Sequence, residues 1–400
     1  MSKTLRTLPM PTGTGVSDVL PHLRQVLDDN DSAAWLPIPT SDRREARRLS
    51  DALAPGEPID DEVALVVTTS GSTGVPKGAM LSAAALRASG NATHERLGGP
   101  GSWLLALPTH HIAGIQVLLR GILAGTEPTV LDVSGGFLPE ALAGAVASMP
   151  GPRRYTSLVP TQLIKALDTP SGVAALAELD AVLVGGAATP VPVYERARAA
   201  GINVVRTYGM SETCGGCVYD GVPLSGVRVR IEDGRVLLGG AVLASGYRNL
   251  PDHPAFAEPG WFRTDDAGVY DNGVLRVTGR LDEAILTGGL VVIPQVVEAV
   301  LATHPSVSEC VVLGLPDERL GQRVVVAVVP TPGATPTLAE LREHVLAELD
   351  SIAAPRELAV LDELPLLGVG KPNRAELRRE LLSDSMGQPG VIRSRTDRGQ

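Results

Sequence analysis

The chain has 400 residues, 44% of them hydrophobic and 20% charged, and a formal net charge of -10. That balance argues against a nucleic-acid binder, which would show a basic face, and the length allows two or three domains with substantial cores. Three cysteines, Cys214, Cys217 and Cys310, are too few for a disulfide scaffold. With no signal-peptide pattern and no apolar stretch long enough to span a bilayer, the expectation is a cytoplasmic protein.

The first element with a clear signal is the apolar run Val63 to Val67, a buried-type strand. It leads directly into Thr68-Thr69-Ser70-Gly71-Ser72-Thr73-Gly74-Val75-Pro76-Lys77-Gly78. Glycines there let the backbone approach a polyanion, hydroxyls and N–H groups can donate to its oxygens, and Lys77 adds a point charge. The spacing differs from G-x-x-x-x-G-K-[ST], because Pro76 precedes the lysine and glycine follows it. A flexible Ser/Gly linker is the plain alternative, but the loop stands between a buried-type strand and a helix-like stretch, Met80 to Ala88.

Further along, Trp103 to Leu107, Ala181 to Val184 and Ile202 to Val205 read as buried strands, and Leu138 to Ser148 and Val193 to Ala200 as helices. This alternation predicts a mostly parallel α/β sheet with ligands at the carboxyl ends of its strands, where the loops Ser70 to Lys77, Gly185 to Thr189 and Thr207 to Thr213 fall. From about Val227 the pattern changes to short strands with Asp233-Gly234 and Asn272-Gly273 hairpin signals. A third style follows: helix Pro294 to Thr303, strands Val307 to Gly314 and Arg323 to Pro330, and helix Leu338 to Leu349. The expected organisation is a large N-terminal domain, 1–279, of parallel α/β subdomains plus a small β-rich subdomain. A small α+β C-terminal domain, 280–383, comes next, and a polar, unpatterned tail, 384–400, is expected to be disordered.

Five separated segments then fit one family in its order: Thr68 to Gly78, Tyr208-Gly209-Met210-Ser211-Glu212-Thr213, Trp261-Phe262-Arg263-Thr264-Asp265-Asp266, Gly279-Arg280-Leu281-Asp282 and Gly370-Lys371-Pro372-Asn373-Arg374. Together they resemble the adenylate-forming acyl-CoA synthetase superfamily. The resemblance implies a two-step reaction, in which a carboxylate attacks the α-phosphate of ATP to give an acyl-adenylate and pyrophosphate, and the thiol of coenzyme A then displaces AMP. It implies a mobile C-terminal domain, and ATP, Mg²⁺ and coenzyme A as the small molecules bound.

On this resemblance Thr69, Ser70, Gly71, Ser72, Thr73, Gly74 and Lys77 hold the ATP phosphates, and Gly186 and Ala187 lie beside the adenine. Tyr208, Gly209 and Met210 complete the nucleotide site, Ser211 reaches the α-phosphate where the family usually has threonine, and Glu212 holds Mg²⁺. Asp266 takes the ribose hydroxyls with Arg280, although the usual glycine before that aspartate is Asp265 here. Lys371 stabilises the adenylation transition state, since one pre-positioned cation at a crowded anionic centre lowers the barrier strongly. Asp282 is the hinge; an aspartate capping a turn would look the same in sequence.

His111, Thr109 and Cys214 are the expected acyl-pocket residues. No aspartate stands where amine-bearing substrates would need one, which favours a carboxylic acid without a free amine. For His110 and His111 a purely structural role stays equally open. The short stretch before the phosphate loop and the segment Tyr208 to Tyr219, with its small residues Cys214-Gly215-Gly216-Cys217, resemble those superfamily members that take an aromatic dicarboxylate, which the resemblance implies as the substrate class, with another aryl or fatty acid as the alternative. A C-x-x-C pair could serve zinc or redox chemistry, but no further ligands follow at suitable spacing. A homodimer is compatible with the sequence, which leaves the oligomeric state open.

Overall fold

The computed structural model describes residues 3–29, 31–69, 76–365, 372–383 and the strand Ile392–Arg395. The chain divides into two compact units. One consists of Met1–Glu232, Leu237–Thr264 and Tyr270–Leu275, the other of Asp233–Val236, Asp265–Val269 and Arg276–Gln400.

The first unit carries two sheets. A five-stranded sheet runs in the order Pro58–Ile59, Lys3–Met10, Ala33–Pro39, Val63–Thr69, Lys77–Ser82. A seven-stranded sheet runs Val222–Pro223, Gly215–Tyr219, Val204–Met210, Ala181–Val184, Arg154–Leu158, Ser102–Leu105, Thr129–Val130. From Val204–Met210 to Thr129–Val130 every pairing is parallel, whereas Gly215–Tyr219 returns antiparallel. Alternate residues of one strand enter different cores: Ala181 and Leu183 join one apolar cluster, Val182 and Val184 the other. A sheet covered on both faces explains why these strands read as unbroken apolar runs.

Two expectations are corrected here. Met80 to Ala88 is not one helix: Lys77–Ser82 is a strand paired antiparallel with Val63–Thr69, and the helix is Ala83–Arg96. The helix begins where Ser82 Oγ accepts the Ala85 N–H at 3.1 Å, an N-cap that ends the strand. Likewise Thr207 to Met210 is not a loop but the end of the strand Val204–Met210, held by its pairing with Gly215–Tyr219.

Val227–Glu232, Arg235–Gly240, Trp261–Asp271 and Val274–Arg280 succeed one another across a four-stranded sheet. Both expected hairpin turns are present. Asp233 and Gly234 have φ of 49° and 78°, Asn272 and Gly273 of 50° and 81°, the positive pair that a two-residue turn matched to strand twist requires.

In the second unit a six-stranded sheet has the order Leu290–Val292, Ile285–Thr287, Gly321–Pro330, Glu357–Val360, Ile392–Arg395, with Val307–Asp317 also paired to Gly321–Pro330. Val324, Val326 and Val328 face the helices Pro294–Leu301 and Leu338–Leu346, while Val325 and Ala327 face Arg374–Ser383. The stretch expected to be disordered therefore contains a strand, antiparallel to Glu357–Val360. Among the described residues no helix is long and apolar enough to cross a membrane.

Candidate active site

In the first unit, Val204–Met210 ends in a short 3-10 turn, Ser211–Thr213, and the chain doubles back through Cys214 and Gly215, at φ of 53° and 91°. Close backbone approach forces the glycine at 209, because a Cβ there would lie 2.1 Å from the Gly215 carbonyl oxygen. At Gly185 a Cβ would lie 2.2 Å from Thr207 Oγ1, and Gly186 has φ of +81°. Gly186 and Ala187 are exposed at the carboxyl end of Ala181–Val184, with Tyr208 on the neighbouring strand. A flat base beside these glycines would meet backbone rather than side chains.

Ser211 Oγ donates to the Thr68 carbonyl at 3.0 Å, fixing this turn to the last residues of Val63–Thr69. Thr69 is the register partner of Lys77, so the two ends of the expected phosphate loop stand side by side. Ser70, Gly71, Ser72, Thr73 and Gly74 themselves lie outside the described residues. Lys77 forms no ion pair among the described residues. Its Nζ stands 3.2 Å from His253 Nε2 and 5.2 Å above the Tyr247 ring, so its charge is not neutralised by a carboxylate.

Glu212 is only 5% exposed. Its Oε1 accepts from Tyr247 O–H at 2.6 Å, and its backbone carbonyl accepts from Ala244 N–H at 2.8 Å. The segment around Tyr247 also exchanges backbone bonds with Met80 and Gly78, while Asn249 Oδ1 accepts from Gly78 N–H. Tyr247, Asn249 and His253 thus support Glu212 and Lys77. Sequence reasoning missed all three, and the one local signal was a tyrosine after glycine in a chain with 3% aromatics. Among the described residues no cluster of three or more His, Cys, Asp or Glu could hold a metal. A lone buried carboxylate such as Glu212 fits Mg²⁺, which is commonly held by one or two carboxylates plus substrate phosphates.

Of the expected acyl-pocket residues, His111 occupies the N-cap position of the helix Ile112–Leu123, its ring 4.1 Å from that of His110. Burial, then the neighbouring His111, pushes the His110 imidazole down to about 4. Thr109 is buried and gives its hydroxyl to the Pro11 carbonyl at 3.0 Å. Cys214 belongs to the apolar core, where burial, with Cys217 adding to it, raises its thiol well above the ordinary range. Arg206 is exposed, stacked 4.5 Å over Tyr194 and 3.6 Å from Asp220.

The helix Ile112–Leu123 holds what sequence reasoning overlooked. Arg120 is 3% exposed and has no carboxylate within ion-pair distance among the described residues. One of its nitrogens donates to Tyr219 O–H at 3.3 Å, its guanidinium lies 5.0 Å over Trp103, and its Nε has no partner. Burial lowers its proton affinity, an effect only partly opposed by Tyr219. Gln116, one turn earlier, is 1% exposed, and both ends of its carboxamide lack partners. An arginine and a glutamine four residues apart within an otherwise apolar helical run are the sequence signal that could have pointed here.

In the second unit, Arg280 donates to both oxygens of Asp282, at 2.8 and 2.7 Å, and to Asp266 at 3.3 Å. Burial would weaken its hold on the proton, but the Asp282 hydrogen bonds and the charges of Asp266, Asp282 and Asp265 raise it. The Asp266 side chain is 8% exposed and that of Asp265 53%, with Asp265 paired to Arg235 at 3.3 Å and more loosely to Arg280 at 3.8 Å. Lys371 lies outside the described residues. After it, Arg374 is held by Glu298 at 2.7 and 2.9 Å and by Glu283 at 3.0 Å, and Asn373 N–H donates to the Pro365 carbonyl at 2.7 Å.

The chain is similar to known proteins over most of its length. Residues 7–247 match the AMP-binding enzyme family and residues 296–371 its C-terminal domain. The chain is 56% identical over 386 residues to a protein of Mycobacterium tuberculosis named probable 2-succinylbenzoate--CoA ligase, covering 95% of this chain and all of that one. It is 37% identical over 268 residues to the 2-succinylbenzoate--CoA ligase of Escherichia coli, covering 64% of this chain and 56% of that protein. Among solved structures, ATP-bound MatB from Rhodopseudomonas palustris superposes with a TM-score of 0.82 at 22% identity, over 95% of this chain and 89% of that one. E. coli MenE with a bound OSB-AMS analogue gives 0.74 at 25% identity, over 96% and 89%. The chain belongs to the AMP-binding enzyme family.

Proposed function

We propose that this chain joins 2-succinylbenzoate to coenzyme A through an acyl-adenylate, releasing AMP and pyrophosphate, as a cytoplasmic step of menaquinone biosynthesis. The family membership and the 56% identity to a protein of that printed activity support the reaction class. The observation that carries the substrate class is Arg120. A buried guanidinium without a carboxylate is costly, and an acid with a second carboxylate would supply the missing partner.

In this reading one substrate carboxylate attacks the α-phosphate of ATP beside Ser211, and the other rests on Arg120. Lys77 and the loop Ser70 to Gly74 hold the outgoing phosphates, for which positioning and charge neutralisation matter more than covalent chemistry. Glu212 would hold Mg²⁺, which when bound neutralises charge on the phosphates. Asp266, fixed by Arg280, takes the ribose hydroxyls, and Lys371 supplies the cation for adenylation. Asp282 serves as the hinge between the half-reactions, with its grip on Arg280 linking hinge and ribose site.

The test is pyrophosphate release over a panel of acids. 2-Succinylbenzoate is expected to give a kcat/KM at least about tenfold above benzoate and octanoate, roughly 1.4 kcal/mol of transition-state binding. If either matched it, only a general acyl-CoA ligase would remain.

A further inference from the structure

We propose that Gln116 is a specificity-determining residue whose carboxamide donates to the keto oxygen of the acyl substrate. The inference rests on 2-succinylbenzoate as that substrate and goes beyond it, to the group lying between the two carboxylates. Its starting point is that neither Nε2 nor Oε1 of Gln116 has a partner although the residue is 1% exposed. An amide left in that condition forfeits its hydration with nothing in return, so buried polar atoms are rarely orphaned without a ligand to meet them.

The surrounding polar groups are satisfied within the protein. Ser89 Oγ donates to the Cys214 carbonyl at 3.0 Å, the Thr93 and Tyr219 hydroxyls meet at 3.0 Å, and Thr213 Oγ1 donates to the Gly215 carbonyl at 2.7 Å. Trp103 Nε1 donates to His94 at 3.2 Å. Among the described residues of this region the orphans are confined to Gln116 and to Arg120 Nε, four residues apart on one face of the helix Ile112–Leu123.

Position relates Gln116 to the reacting end. Its Cγ would be 3.3 Å from a Cβ placed on Gly215, the residue at which the chain leaves the Ser211–Thr213 turn. Arg120 is one helical turn farther, a rise of about 6 Å. A substrate with its reacting carboxyl near Ser211 and its free carboxylate on Arg120 would therefore present its middle atoms to Gln116. In 2-succinylbenzoate those atoms include the ketone, whichever carboxylate reacts. A ketone only accepts, so Nε2 donates to it, and Oε1 is then the natural acceptor for Arg120 Nε–H. One bond to the ligand and one within the protein would then settle all three orphaned atoms.

The experiment compares wild type, Gln116→Leu and Gln116→Met on three acids: 2-succinylbenzoate, its 2-(3-carboxypropyl)benzoate analogue with CH₂ in place of the ketone, and 4-oxo-4-phenylbutanoate, which keeps the ketone and lacks the ring carboxylate. Pyrophosphate release gives kcat/KM, with KM for ATP and Tm as controls. Wild type is expected to favour the keto acid over its methylene analogue by at least about tenfold. Both variants should bring that ratio within about threefold by losing rate on the keto acid, with KM for ATP unchanged and the ring-carboxylate preference kept. A keto preference absent from wild type, or retained in a folded variant, overturns the assignment, as does equal loss on all three acids. Wild type indifferent between 2-succinylbenzoate and 4-oxo-4-phenylbutanoate would instead overturn the dicarboxylate reading on which it rests.

Discussion

The two sides of the candidate site in the first unit are built differently. Around Ser211 and Glu212, polar side chains are bonded to the protein itself: Ser211 to the Thr68 carbonyl, Glu212 to Tyr247. Along the helix Ile112–Leu123, the Gln116 carboxamide and Arg120 Nε are buried without partners. Groups serving a ligand common to a whole family can be pre-organised by protein contacts. Groups that select one acyl chain do better to leave their hydrogen bonds unmade, because a wrong acid then fails to repay their burial.

The largest expected effect tests the nucleotide side. Lys371→Ala should lower adenylation by roughly two to three orders of magnitude, the scale for one pre-positioned donor or cation. Consumption of a supplied acyl-adenylate by coenzyme A should continue at close to the wild-type rate. Equal damage to both half-reactions would remove Lys371 from adenylation.

On the acyl side, Arg120→Met should reduce kcat/KM for 2-succinylbenzoate about a hundredfold, within the 2–5 kcal/mol or so that follows loss of one partner of a buried charge pair. Activity on 4-oxo-4-phenylbutanoate should hardly change, and Tm should stay level or rise, because an apolar chain replaces a desolvated cation. A comparable fall on the monocarboxylic acid would mean that Arg120 supports the fold rather than the substrate.

This contrast also explains what could be read in the sequence. Ala181–Val184 and the Asp233-Gly234 and Asn272-Gly273 turns were legible because local pattern specifies them: a run buried on both faces, and residues that tolerate positive φ. The Tyr208 to Thr213 segment was legible as a motif, although its first half is strand rather than loop. The error at Met80 to Ala88 arose because pairing of Met80 with Val66 and Leu81 with Leu65 overrode local helical tendency. Arg120 and Tyr247 were hidden for a different reason. An arginine on a helix ordinarily lies at the surface. Its burial here depends on neighbouring elements, among them the helix Ala83–Arg96, where Gly90 permits such close approach that a Cβ would meet Leu123 at 2.4 Å. Tyr247 reaches Glu212 across 35 residues, a spacing with no local signature.

A smaller effect is expected at Tyr247. Tyr247→Phe keeps the ring that packs 5.1 Å from Phe256 and lies beneath Lys77, and removes only the O–H donated to Glu212. If Glu212 holds Mg²⁺, the Mg²⁺ concentration for half-maximal rate should rise about tenfold, the lower end for losing a group that orients a metal ligand. Saturating Mg²⁺ should restore most of kcat. A rate defect indifferent to Mg²⁺ would make the contact purely architectural and weaken the view that this side is pre-organised for the nucleotide.

The smallest effect concerns pH and the surroundings of Arg120. Burial, followed by the charge of Arg120, holds the His94 imidazole down to about 4, against an ordinary value of 6.5. Between those values the unfolded chain binds a proton that the folded chain refuses, so stability is complete above about pH 6.5 and falls as pH drops toward 4. The geometry gives the reason: His94 Nε2 accepts from Trp103 Nε1–H at 3.2 Å, and a protonated ring would turn that acceptor into a second donor and set a new cation near Arg120. His110 is also held down to about 4 and contributes over the same window, so the two must be separated by substitution. His94→Gln, whose amide oxygen can still accept from Trp103, should leave Tm at pH 7 within a few degrees of wild type and remove roughly half of the fall between pH 7 and pH 5. His110→Gln should remove most of the rest. Thermal unfolding at pH 5, 6 and 7 reads both, and an undiminished slope in His94→Gln would show that this face of the Arg120 site does not exclude a second charge.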